Sequence, residues 1–94
     1  MATMSIQQAL DANKRVVAVD IIQSYTKTVY IALDKDTELQ PTEVVLNMHK
    51  AGDIVVSAMD NKVIKYVPTT EIDQEVYIEN YNKFHDAVVH DVKP

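Results

Sequence analysis

Apolar and polar positions change rhythm several times along the chain, and each change marks an element. Ser5 followed three residues later by Gln8 has the form of a capping box, with Ile6, Ala9 and Leu10 as a short apolar stripe behind it. Asn13 tolerates the left-handed conformation that stops such a helix without a glycine. From Arg15 to Ile22 the chain is β-branched and almost continuously apolar, interrupted by Asp20, which predicts a strand in apolar contact on both faces. Lys27 to Asp34 then alternates, with Val29, Ile31 and Leu33 facing one way and Thr28, Tyr30 and Ala32 the other. The two strands are close enough in sequence to pair as a hairpin.

Asp34 to Gln40 is a polar connection. Pro41 suits a first helical turn, and Val44, Val45, Met48 and Ala51 follow at helical spacing, with Gly52 as the stop. Ile54 to Met59 and Val63 to Val67 predict a second hairpin around Asp60-Asn61-Lys62, ended by Pro68. Thr69 or Thr70 then caps a long last helix reaching about Asp91. Its apolar side is Ile72, Val76 or Tyr77, Tyr81, Phe84 and Val88, and its wet side Glu75, Glu79, Lys83 and Asp86. The expectation is an α+β fold, residues 1–94 as one globular domain, in the order α-β-β-α-β-β-α. A four-stranded antiparallel sheet would carry helices mainly on one face, with Val19, Ile31 and Val56 in the core. That order resembles the unit of the LAGLIDADG homing endonucleases. The resemblance is one of element order: the first helix has no acidic end of that family's kind, and the chain is short and acidic.

Composition changes the picture mainly by removing chemistries. Gly52 is the single glycine of 94 residues and there is no cysteine. Glycine-rich phosphate loops and nucleophile elbows are therefore excluded, as are thiolate zinc sites, iron–sulfur clusters and disulfides. The formal charge of −5 argues against direct nucleic-acid binding, Lys14-Arg15 being the one compact basic pair. No run of 18 apolar residues marks a membrane span, and the first residues do not read as a signal peptide. The expectation is a cytoplasmic protein.

Candidate chemistry is sparse. His85, Asp86, His90 and Asp91 cluster near the end of the last helix, but two histidines five apart diverge by roughly 140° on a helix, so no metal site is expected. Asp34-Lys35-Asp36-Thr37-Glu38 begins like a calcium loop, yet its sixth position is Leu39 and its twelfth Val45. Asp20 stands out as a carboxylate inside an apolar strand. It is either a buried group with a raised pKa or a surface residue bonded to a neighbour such as Thr28. Tyr30, Ala32, Tyr66, Tyr77 and Tyr81 are candidates for an interaction surface, since tyrosine is enriched at interfaces. No catalytic residue, cofactor or metal is assigned. The leading reading is a small non-enzymatic protein that works by protein–protein contact in an accessory or regulatory role, as a homodimer, with any further protein partner unidentified. Alternatives are an enzyme or small-molecule-binding domain, with Asp20, His49 and a tyrosine in a pocket between sheet and helices, and an acidic mimic that occupies a nucleic-acid-binding protein.

Overall fold

The computed structural model describes residues 2–22, 26–54 and 65–92. Ser5 caps the first helix, α1 (Ile6–Asp11): its Oγ accepts from the Gln8 amide at 3.1 Å, and the Gln8 side chain accepts from the Ser5 amide at 2.9 Å. Asn13 follows at a φ of 61°. The predicted hairpin is present as β2 (Arg15–Ile22) and β3 (Thr26–Leu33), antiparallel, with Ala18 opposite Tyr30 and Asp20 opposite Thr28. Pro41 opens α2 (Pro41–Lys50). Gly52, at a φ of 82°, ends it: its amide bonds to the His49 carbonyl and the Asp53 amide to the Met48 carbonyl, the paired bonds of a Schellman motif.

The remaining elements depart from expectation. Thr3–Met4 forms a short strand, β1, and Lys65–Ile72 forms β4. The chain then makes two brief helices, α3 (Gln74–Glu79) and α4 (Tyr81–Phe84), and ends its described part in β5 (Val89–Asp91). The five strands lie in the order β1-β5-β3-β2-β4, with β5 parallel to β3 and the other pairs antiparallel. Among the described residues the expected four-stranded antiparallel sheet is thus a five-stranded mixed sheet, and the class α+β holds. The expected second hairpin falls largely outside the described residues, as do Val56 and the Asp60-Asn61-Lys62 turn.

Two physical causes account for the corrections. Pro68 does not stop its strand, because β4, which pairs with β2 among the described residues, slips register there: Ala18 faces Thr70 while Val19 faces Pro68. The extra residue, Thr69, sits at this bulge and its hydroxyl donates to the Ala18 carbonyl at 3.2 Å, an arrangement that accommodates a proline without its amide. The single long helix fails because Asp73, not Thr69 or Thr70, caps the helical segment, accepting from the Val76 amide at 2.8 Å. Asn80, with φ −121° and ψ 35°, then breaks it. β-Branched Val88 and Val89 favour the extended backbone that follows.

Helices cover both faces of the sheet. Val17, Val19 and Ile21 of β2 join Val29, Ile31 and Leu33 of β3 in a core under α2, which contributes Val44, Val45 and Met48. On the opposite face, Val16, Ala32, Ile72 and Val89 pack with Ile6 and Ala9 of α1, Tyr77 of α3 and Phe84 of α4. The strand facings follow the alternation read from the sequence. The helices expected mainly on one face divide between two, because the break at Asn80 lets two short helices lie on the second.

Candidate functional site

Asp20 sits in the middle of β2 on the α4 side of the sheet. It is half-buried, and its Oδ1 accepts from Thr28 Oγ1 at 2.7 Å across the hairpin. The pairing follows from register, since the two residues are directly opposed and side chains so placed meet on one face. Asp20, Thr28 and Tyr30, with Thr70 of β4 and Lys83 and Phe84 of α4, line a cavity of about 210 Å³. Tyr30 packs edge-on to Phe84, ring centroids 6.1 Å apart. Burial, and then the carboxylates of Asp20 and Asp86, push the Tyr30 phenol above its ordinary pKa, which keeps its proton on at neutral pH.

The sheet separates the groups that the sequence grouped into one pocket. His49, in the last turn of α2, lies on the other face, where its Nδ1 is 2.9 Å from the Tyr66 hydroxyl and Tyr66 packs against the α2 core. Burial raises the Tyr66 pKa. Which of the two donates follows from the His49 tautomer.

Of the five candidate interface residues, Tyr81 is the exposed one. Ala32 and Tyr77 are buried, and Tyr30 and Tyr66 are half-buried. The Tyr81 ring stacks on His85, centroids 5.2 Å apart and 13° between planes, and leans on Tyr77 at 5.7 Å. Tyr81 is 53% exposed and Ile78 is 63% exposed, so α3 and α4 present an aliphatic and an aromatic side chain to solvent.

One charged cluster is absent from the sequence reading. Asp91, the last residue of β5, is 5% exposed, and its Oδ1 is 2.9 Å from Lys14 Nζ, which also reaches Asp34 at 3.2 Å. Arg15 pairs separately with Glu71 at 2.6 Å. The carboxylates of Asp91 and then Asp34 raise the Lys14 pKa above 10.5. This holds it as a cation and makes it a poor nucleophile. The Lys14–Asp34 half is legible, since these residues flank a hairpin in which Arg15 opposes Leu33. Asp91 joins through pairing between distant strands.

Among the described residues, no group of three or more His, Asp or Glu side chains is placed to hold a metal ion. No described helix is long and apolar enough to cross a membrane. Comparison with protein-family models, with curated proteins and with solved structures found no match.

Proposed function

We propose that the protein is non-enzymatic and works by protein–protein contact, in an accessory or regulatory role, and that it self-associates as a two-fold dimer through α3 and α4. The observation that carries this reading is the exposure of Ile78 and Tyr81 on two consecutive helices. Tyr81 is already held between Tyr77 and His85, so burying it against a partner would cost little further side-chain entropy. Tyrosine is among the usual anchors of interfaces, and a closed two-fold contact is the commonest symmetry of such pairs. Both sheet faces carry helices, which favours the last helices over an outer sheet face as the contact. The engagement of Lys14 and Arg15 with carboxylates speaks against direct nucleic-acid binding.

Analytical ultracentrifugation tests the reading. The wild type is expected to sediment as a dimer at tens of micromolar, and Tyr81→Asp or Ile78→Asp as a folded monomer. A wild type that stays monomeric at that concentration overturns self-association.

A further inference from the structure

We propose that the cavity between the centre of the sheet and α4 binds a small zwitterion of amino-acid size, its ammonium group held by Asp20 and its carboxylate by Lys83. The site shares α4 with the proposed dimer surface but draws on Asp20 and Lys83 rather than on Ile78 and Tyr81.

The two charges come from opposite walls, Asp20 from β2 and Lys83 from α4. Among the described residues they form no ion pair with each other. Thr28 donates to Oδ1 of Asp20, which fixes the carboxylate's orientation and leaves Oδ2 to accept from a ligand. Lys83 Nζ lies 5.3 Å from the centroid of the Phe84 ring, a cation–π placement that holds the ammonium over one wall. The protonated Tyr30 phenol is a further polar contact, able to donate to a ligand oxygen or accept from its ammonium. Thr69 has its hydroxyl committed to Ala18, whereas Thr70 brings a hydroxyl to the cavity lining. A volume of about 210 Å³ falls below the roughly 300–1,000 Å³ of pockets for drug-sized molecules, which favours a small occupant. An acidic and a basic lining residue from two different elements, with threonines and one aromatic wall, suit an ammonium and a carboxylate on a short spacer.

The test is NMR titration of the full chain with glycine, alanine and serine, against ethylammonium and propionate as half-ligands. Saturable amide shifts at Ala18, Thr28 and Thr70 are expected with the zwitterions. Propionate should give little response, and ethylammonium a weaker one than alanine. Asp20→Asn keeps an acceptor for Thr28 and should fold. It is expected to weaken zwitterion binding by roughly tenfold or more, the usual worth of a hydrogen bond to a charged group. Lys83→Met, at an exposed position, should weaken the zwitterions and leave ethylammonium unaffected. No saturable shift with any zwitterion overturns the proposal, as does binding that survives Asp20→Asn unchanged, or propionate binding as well as alanine.

Discussion

Lys14 Nζ lies 2.9 Å from Asp91 Oδ1, tying the residue that precedes β2 to the last residue of β5. The lysine side chain is 18% exposed and the aspartate is deeper still, so the pair is shielded more than a surface salt bridge. Lys14→Met strips the buried carboxylate of this ion pair and is expected to destabilise the fold by about 2 kcal/mol, read in denaturant melts at neutral pH.

The same lysine sets part of the alkaline limit. Its pKa is raised above 10.5, and burial raises Tyr30 and Tyr66 above 10.0. Each group holds its proton more tightly folded than unfolded, so its contribution is full below the unfolded value and lost as pH climbs through the folded one. Stability should therefore fall above about pH 10, and by less in Lys14→Met. Equal slopes for the two proteins in melts across that range would contradict the assignment.

His90 acts on the acid side. Burial is the main cause lowering its pKa from 6.5, opposed by Asp53 and assisted by Lys27. The folded state favours the neutral ring, so this contribution is present above pH 6.5 and lost as pH falls through the folded value. Melts of His90→Gln should show a flatter pH dependence below pH 6.5 than the wild type.

Ile31 is fully buried under α2. Truncation to alanine is expected to cost about 2–5 kcal/mol through lost burial and the cavity left behind. A cost under about 0.5 kcal/mol, typical of surface sites, would mean that β3 faces the other way.

Gly52 offers a purely conformational test. A Cβ added there would meet nothing within 4 Å, yet the backbone is at a φ of 82°. Gly52→Ala should cost about 1–2 kcal/mol, and Gly52→Asn less, since asparagine enters the left-handed region more readily. Thermal melts of the two variants distinguish strain from packing.

Legibility in the sequence followed the range of the interactions involved. The Ser5–Gln8 box, the Asn13 and Gly52 stops and the facings of β2 and β3 rest on neighbours within a few residues or on a hairpin register, and the sequence carried them. Residues 69–91 did not yield to the same reading. Apolar residues at intervals of three and four from Ile72 to Val88 suit one long helix, but Asn80 breaks the run and Val89–Asp91 pairs with a strand nearly sixty positions earlier. No local pattern encodes that pairing. The site divides likewise: Asp20 with Thr28 follows from the hairpin, whereas Lys83 and Thr70 reach the same cavity through α4 and the register of β4, and Lys14 meets Asp91 through β5.

The place of β5 between β1 and β3 has a kinetic corollary. β1 has β5 as its strand neighbour, so Thr3 and Met4 gain their ladder bonds to His90 and Val89 only once those residues have arrived. The β2–β3 hairpin closes over a short loop and can form early, while insertion of β5 requires one of the longest closures in the fold. In time-resolved hydrogen exchange during refolding, amides of β2 and β3 should gain protection first. Those of residues 2–4 and 89–92 should gain it together, as the last step of assembly.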